Sequence, residues 1–441
     1  MLRARLDSVG EVAAQVLSAA AVIGRSFDLG MVRAASSRTD DETVDGLDEA
    51  VRHGLVREIG PGVGGDVRYD FTHGRLRDVA YERLSLARRR LLHARVAEAV
   101  RASGTALGSD VDRWALIARH ETDAGRSTEA AEAHRRAGHL ARSVFANAEA
   151  REHLEAALAL GSGAEVELYE ALGEVLTLLG DYDGAIGHLE AAEALAGPAD
   201  EASLEHRIGI VLARRGDWAR AELRLVAALE LMARGDRPGL RSRIPVERGV
   251  IACRVGDTAG AGALADAALA LAGEAEDPIA VARAEDLLGI VARSRGDLEA
   301  ARDHLGRALA AVDAADATAT ARTPSAAGSA ASAGATASTG PGDLADPGVR
   351  IAALNTLALV FADAGEPDRA IELAREALIL CERQGDRHRQ AALENNLADL
   401  LHATGRPAEA LDHLRRAVIL FAEVGGRPGE LEPEIWKLVE W

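Results

Sequence analysis

The sequence predicts a mostly helical protein, with a smaller N-terminal domain of helices and two strands followed by a long row of stacked helical hairpins. Three observations predict it. A glycine followed by a polar residue recurs at nearly constant spacing between residues 180 and 406. Alanines stand at fixed distances from each of those glycines. Hydrophobic residues make up 48% of the chain but aromatic ones only 3%, so the helices must pack through small side chains. At 441 residues the chain is too long for one ordinary core, and a repeat array accommodates that length.

The glycine–polar pairs are Gly180-Asp181, Gly216-Asp217, Gly256-Asp257, Gly296-Asp297, Gly365-Glu366 and Gly405-Arg406, at intervals of 36, 40, 40, 69 and 40 residues. Five residues after each glycine stands an alanine (Ala185, Ala221, Ala261, Ala301, Ala370, Ala410), and twelve after stands another (Ala192, Ala228, Ala268, Ala308, Ala377, Ala417). Seven before stands Gly or Ala: Gly173, Gly209, Gly249, Gly289, Ala358 and Ala398. Alanine fills about one position in five overall, so twelve in twelve is a pattern rather than composition. The glycine supplies the left-handed backbone that ends one helix, and the polar residue starts the next. The small residues lie where the two antiparallel helices cross. Leu172, Leu189, Leu288, Leu305, Leu397 and Leu414 are expected to bury between hairpins. Each hairpin leaves an apolar face open, so neighbours stack into an α-solenoid with a concave groove.

This spacing, read in Leu172–Leu195 as LGEVLTLLGDYDGAIGHLEAAEAL, resembles the tetratricopeptide repeat over roughly residues 111–441. A degenerate first hairpin carries Ala118, Gly125, Ala130 and Ala137 in the same frame, and a further helix follows at about 146–160. The 69-residue interval contains a stretch, 317–342, of Ala, Thr, Ser, Gly and Pro with Arg322 as its one charged residue; it reads as a flexible insert in an otherwise continuous array.

The first hundred residues differ. Helical periodicity over 9–23 is followed by short helices near 29–35 and 42–53. Extended runs at 55–59 and 67–71 then flank the glycine-rich Gly60–Gly65, predicting a hairpin, and helices follow at 74–85 and 87–102. Three helices and a hairpin make a winged helix. Its candidate recognition helix carries Asp40, Asp41, Glu42, Asp45, Asp48 and Glu49 before Arg52, and the whole chain has a formal charge of −19. Both repel a phosphate backbone, so direct nucleic-acid binding is not expected. The runs AAAVIGRSFDLGMV (Ala19–Val32), LDEAVRHGLVREI (Leu47–Ile59) and YDFTHGRLRDVAYERLSLARRRLLHARVAEAV (Tyr69–Val100) are similar to the segment that follows the nucleotide-binding domain in STAND-type signal-transduction ATPases. These include large regulators of the LuxR and antibiotic-regulatory types and ATPases fused to nucleotide cyclases. The resemblance implies an adaptor that joins an ATPase core to a tetratricopeptide sensor. In relatives with a Met-His-Asp motif a histidine of the winged helix faces the nucleotide; the matching stretch here is Phe71-Thr72-His73-Gly74, making His73 the one candidate nucleotide-sensing residue by resemblance. The plainer reading of His73 is a residue at the start of the following helix.

No phosphate loop G-x-x-x-x-G-K-[ST] occurs, so ATP or ADP is expected only if an ATPase domain is supplied upstream or by another chain; no other cofactor is implied. The chain reads as the C-terminal half of such a regulator. It shows no G-x-S-x-G elbow and no metal-ligand spacing, so it reads as a non-enzyme. His120-Glu121, His134 and His139 read as solvated residues of helix surfaces, and Cys253 and Cys381 as small buried hydrophobes in a reducing compartment. Without a signal peptide or an apolar stretch of spanning length, the expectation is a cytoplasmic protein with no membrane partner.

The expected partner is a protein or peptide segment held in the repeat groove. Ten residues before each turn glycine, the groove-facing position holds His206, Val246, Asp286, Asn355 and Asn395; two before it stand Arg214, Arg254, Ser294, Asp363 and Ala403. Asn355 and Asn395 suit hydrogen bonds to a peptide main chain, and Arg214 and Arg254 suit a carboxylate. With His206 and Asp286 these are the candidate groove residues. The expected organisation is a winged-helix adaptor at 1–103, degenerate first helices of the array at 104–160, repeats at 161–316, the insert at 317–347, and repeats with a C-terminal cap at 348–441, where Trp436 and Trp441 hint at the cap.

Overall fold

The computed structural model describes residues 2–61, 67–103, 109–232, 238–322 and 347–424. Most of the glycine-rich turn expected at Gly60–Gly65, most of the expected insert and the expected Trp436–Trp441 cap lie outside the described residues. The chain divides into two units: Met1–Val144 with Glu149–Leu168, and Phe145–Ala148 with Tyr169–Trp441.

The first unit opens with α1 (Leu2–Leu6), α2 (Glu11–Ile23), β1 (Ser26–Asp28), α3 (Leu29–Ser36), α4 (Asp40–Arg52), β2 (Val56–Pro61), β3 (Val67–Phe71), α5 (Gly74–Glu82) and α6 (Leu86–Ala102). Helices α3, α4 and α6 begin where side chains cap them. Asp28 accepts from Met31 N–H, Ser85 from Arg88 N–H, and Thr39 with Glu42 forms a reciprocal capping box. The sheet is antiparallel in the order β1-β3-β2, and the short β1 joins the expected pair because Phe27 packs on Tyr69 and Phe71 of β3, ring centroids 6.0 and 5.6 Å away. One core gathers Val16, Leu17, Leu47, Leu55, Phe71 and Leu76 between sheet and helices. A second runs from α2 and α3 through Leu92, Val96 and Val100 of α6 into the next hairpin, α7 (Asp110–Ala124) and α8 (Ser127–Ser143), at Ile117, Ala118 and Ala133. Helix α9 (Asn147–Ala159) follows.

The hairpins of the repeat are α10 (Glu165–Leu179) with α11 (Tyr182–Leu195), α12 (Glu201–Arg215) with α13 (Trp218–Met232), α14 (Pro238–Arg254) with α15 (Thr258–Glu274), α16 (Pro278–Ser294) with α17 (Leu298–Arg322), α18 (Pro347–Asp363) with α19 (Pro367–Gln384), and α20 (Arg387–Ala403) with α21 (Pro407–Glu423). Every turn glycine named above has φ between 75° and 89°. The following residue's N–H closes on a carbonyl five positions back, as Asp181 does on Leu176 at 2.9 Å and Arg406 on Leu401 at 2.9 Å. Asp181, Asp217, Asp257 and Asp297 then accept from backbone N–H groups of the next helix. Glu366 and Arg406 make no such cap, and Pro367 and Pro407 stand at the helix start instead, where a missing N–H costs nothing.

All twelve patterned alanines are buried. A methyl placed on Gly173 would come within 2.6 Å of Leu189, on Gly209 within 2.9 Å of Leu225, and on Gly289 within 2.7 Å of Leu305. These leucines all stand nine residues after their turn glycine. Where the small position is Ala358 instead, the residue nine after Gly365 is Ala374, so no leucine has to be accommodated there. Leu288 and Leu414, expected to be buried, are only half-buried: Leu287 takes the inward place on α16, and α21 is the last described helix. Helix α17 continues through Arg322, six residues into the stretch expected to be an insert, and its Ala301, Leu305 and Ala308 share a core with Ala353 and Val360 of α18.

Gly289→Ala is expected to lower stability by about 1–3 kcal/mol through overpacking. In a Leu305→Ala background the same change should cost less than half as much, because the partner volume is gone. Urea unfolding midpoints of the four proteins in this double-mutant cycle check it.

Candidate functional site

The first helices of the last five hairpins each place one residue ten positions before their turn glycine, a row called the inner wall below. His206, Val246, Asp286, Asn355 and Asn395 occupy these places on α12, α14, α16, α18 and α20. The repeat pattern predicts an open groove here; instead these five retain only 2–8% exposure. The wall is polar all the same. Asn396 donates to Asn355 Oδ1 at 2.9 Å, and Arg389 donates to the Gly348 carbonyl at 3.0 Å. His206 Nε2, Asp286 Oδ1 and Asn355 Nδ2 are buried and have no hydrogen-bond partner among the described residues.

Burial dominates the electrostatics. It pushes the Asp286 carboxyl up to about 7, against a hydrogen bond from Thr356 and the charges of Arg389 and Arg283. It pushes His206 down to about 3, with Arg283, Arg243 and Arg207 acting in the same direction. Arg283 and Arg243 are themselves matched, by Glu247 at 2.8 Å and Asp277 at 3.5 Å.

Arg214, expected to meet a partner's carboxylate, meets one from its own chain: Asp386, 2.8 Å away and wholly buried. Asp386 also caps α20, accepting from Arg389 N–H at 3.1 Å, and the Arg389 guanidinium lies 3.8 Å away. Burial alone would raise this carboxyl; Arg214, Arg389 and the capping N–H together hold it below its ordinary value. Next to it, His388 is pushed down to about 4 by burial and bonds through Nδ1 to the Tyr182 hydroxyl. Arg254 is half-buried and close enough to act on His388; Ser294, Asp363 and Ala403 are exposed. Sequence periodicity carries no signal for the Arg214–Asp386 and Tyr182–His388 contacts, which join residues 172 and 206 positions apart.

In the first unit, His73 stands exposed at the N-cap of α5 and makes no side-chain capping bond. Glu42, Asp45, Asp48 and Glu49 of α4 line a shallow acidic cleft with Val12, Gly46 and Arg52. His120 and Glu121, expected to be solvated, are buried. His120 Nδ1 faces His93 Nδ1 at 2.8 Å, and Tyr81 reaches His93 from the other side at 3.0 Å. Glu121 pairs with Arg101 at 2.9 Å and with Arg126 at 3.8 Å. His134 and His153 meet in the same way at 2.9 Å. Among the described residues no group of three or more His, Cys, Asp or Glu side chains could hold a metal, and no helix is long and apolar enough to cross a membrane. Cys381 is buried, its thiol pushed up to about 12 chiefly by that burial, and Cys253 is half-buried.

Residues 349–421 match the family model of the tetratricopeptide repeat. That segment is α18 to α21, the two hairpins whose polar residues end the inner wall. A search of curated proteins finds no match. Among solved structures, the chain is similar to a Signal Transduction ATPase with Numerous Domains (STAND) protein with a tetratricopeptide repeat sensor from Pyrococcus horikoshii, at 12% identity and a TM-score of 0.46 over 95% of this chain. It spans 60% of that protein's length. It is also similar to the apo form of the quorum sensor NprR from B. thuringiensis, at 13% identity over 87% of this chain and 100% of that one, with a TM-score of 0.45. A Rap protein complexed with Competence and Sporulation Factor gives 13% identity, 76% and 90% coverage and a TM-score of 0.43. Likeness at this level carries no argument about activity.

The inner wall has a pH signature of two opposite signs. Histidine in the unfolded chain protonates near 6.5 but His206 near 3, so the native state binds fewer protons between those values and loses stability as pH falls below 6.5. Asp286 has its ordinary value of 3.8 unfolded and about 7 folded, so its contribution is present below pH 4 and is lost as pH rises toward 7. Asp286→Asn should therefore raise the urea midpoint at pH 8 but not at pH 4, and His206→Leu should flatten the decline between pH 6.5 and 4.5.

Proposed function

We propose that the chain is a non-catalytic protein–protein interaction and sensor module of a bacterial signalling or transcriptional regulator, whose second unit takes a protein segment or effector along its inner wall. The polar row carries this reading. Its members stand at one repeat position on successive hairpins, and three of them hold a buried donor or acceptor that is unmatched among the described residues. Each such atom costs roughly 1–3 kcal/mol, and apolar side chains at the same positions would avoid that cost. A peptide main chain offers both N–H and C=O groups to match them. Arg214 and Arg254, two positions before their glycines, stand on the same set of helices.

The test is affinity capture with the whole chain. A partner held by the wall is expected to lose roughly two- to tenfold in affinity on Asn355→Ala, the value of a hydrogen bond, and comparably on Arg254→Ala. Ser294→Ala, at an exposed position, should change nothing. Capture of no partner sensitive to Asn355→Ala or Arg254→Ala would end this reading.

A second reading makes the chain the sensor half of an ATP-dependent transcriptional or nucleotide-cyclase regulator. It is favoured by the order of helices and the β2–β3 pair in residues 1–103, which we read as a winged-helix adaptor, and by the exposed His73 at the position where the resemblance puts a nucleotide-facing histidine. ATP or ADP would then be bound by a domain encoded upstream or on another chain. The acidic face of α4 argues against DNA as its ligand. The genomic sequence before Met1 tests this second reading: an in-frame phosphate loop supports it, and a stop codon there with no ATPase gene nearby removes it. In either reading we take 104–160 as the start of the array, 161–316 and 348–441 as its repeats, and 317–347 as an insert.

A further inference from the structure

A solenoid needs contacts only between neighbouring hairpins, because each one's open face is covered by the next. The second unit has more than that. Its last hairpins touch its first: Arg214 pairs with Asp386 at 2.8 Å, Tyr182 bonds to His388, and Asn147 Nδ2 donates to the Gln384 carbonyl at 3.0 Å. Gly180 approaches Val424 so closely that a methyl on it would lie 2.7 Å away. Asp386, Tyr182, His388, Gln384 and Asn147 are all buried in this junction. These contacts join Asn147, Tyr182 and Arg214 to the turn before α20, at sequence separations of 172 to 237.

The junction differs in kind from the crossings that build the hairpins. Those are apolar, with alanine and glycine against leucine. The junction's named bonds are a charged pair, a hydroxyl–imidazole contact and an amide–carbonyl contact. Opening exchanges these bonds for bonds to water, at a net cost of roughly 0.5–1.5 kcal/mol for each neutral one and about 1.5–3 kcal/mol for the charged pair, because Asp386 and Arg214 are rehydrated as they part; the apolar hairpin crossings are untouched. The hairpins can follow, because small rotations at each repeat sum along a solenoid. The polar wall has the opposite need. Its members keep 2–8% exposure, so a partner reaches them only if the hairpins around them move.

We propose that the turn between α19 and α20, through Asp386 and His388, is a clasp that holds the inner wall shut, and that its release from Arg214 and Tyr182 admits the partner segment. This regulation rests on the inner wall being the binding surface, as proposed above. The clasp itself is testable with no partner present, so the two ideas can fail separately.

Hydrogen–deuterium exchange on the full chain provides the test, using Arg214→Ala and Tyr182→Phe. Both substitutions lie on the α11–α12 side and leave the Asp386 cap of α20 intact. The readout is on the opposite side, at residues 384–392. Exchange there is expected to rise about tenfold, with α14 to α17 unchanged and the radius of gyration from X-ray scattering increased. Arg215→Ala, whose partners are the nearby Asp183 and Asp217, should leave residues 384–392 as they were. Unchanged exchange at 384–392 in both variants overturns the clasp. So does a rise spread equally over α14 to α17, since the contacts would then hold the fold rather than gate it. If residues 384–392 respond as expected but wall substitutions leave partner affinity unaltered, the clasp stands and the binding reading falls.

Discussion

The close crossing of the two helices in each hairpin is the constraint on which the rest depends. Gly173, Gly209 and Gly289 leave room for Leu189, Leu225 and Leu305, and any side chain at those glycines would collide with them. At Ala358 the residue nine after the turn is Ala374 rather than leucine, so a glycine is not needed. Left-handed glycines with aspartate caps, or proline at the helix start, fix where each helix stops and the next begins. Crossing and turn together set the face each hairpin offers its neighbour. In that frame the residues ten positions before the last five turn glycines recur as one line, once per hairpin.

The line is unusual for being both buried and polar. Core positions in a solenoid are satisfied by apolar residues, and Val246 is one in this row. Asp286 shows what the arrangement costs, since burial holds its carboxyl at about 7, where it is partly protonated at neutral pH. Asp386 shows the alternative: equally buried, it stays ionised because Arg214, Arg389 and a backbone N–H converge on it. Two aspartates in one unit thus differ in charge state through their neighbours alone. One completes a structural contact. The other keeps an unmatched oxygen on the proposed binding wall.

Much of the fold was legible because it is local. Helix boundaries across residues 9–102 follow from periodicity, capping residues and the extended runs, and the hairpins from glycine and alanine spacing. Strand β1 was missed because three residues, Ser26–Asp28, are too short to show alternation; only the Phe27 contact to β3 makes them a strand. His120 and Glu121 read as surface because polar residues on a helix usually are, and the partners that permit their burial, His93, Arg101 and Arg126, come from elsewhere in the chain. The candidate wall residues were legible as a set from their common position in the repeat. Their burial was not, because it depends on side chains of neighbouring hairpins, such as Asn396 on Asn355 and Thr356 on Asp286, that the spacing does not encode.

The central claim is that the first helices of the hairpins form the surface that takes a partner. Amide exchange of the chain with and without a captured partner measures this most directly. The account predicts new protection on α12, α14, α16, α18 and α20, recurring once per hairpin, with the second helices α13, α15, α17, α19 and α21 little changed. Protection confined to the second helices, or to the first unit, would contradict it.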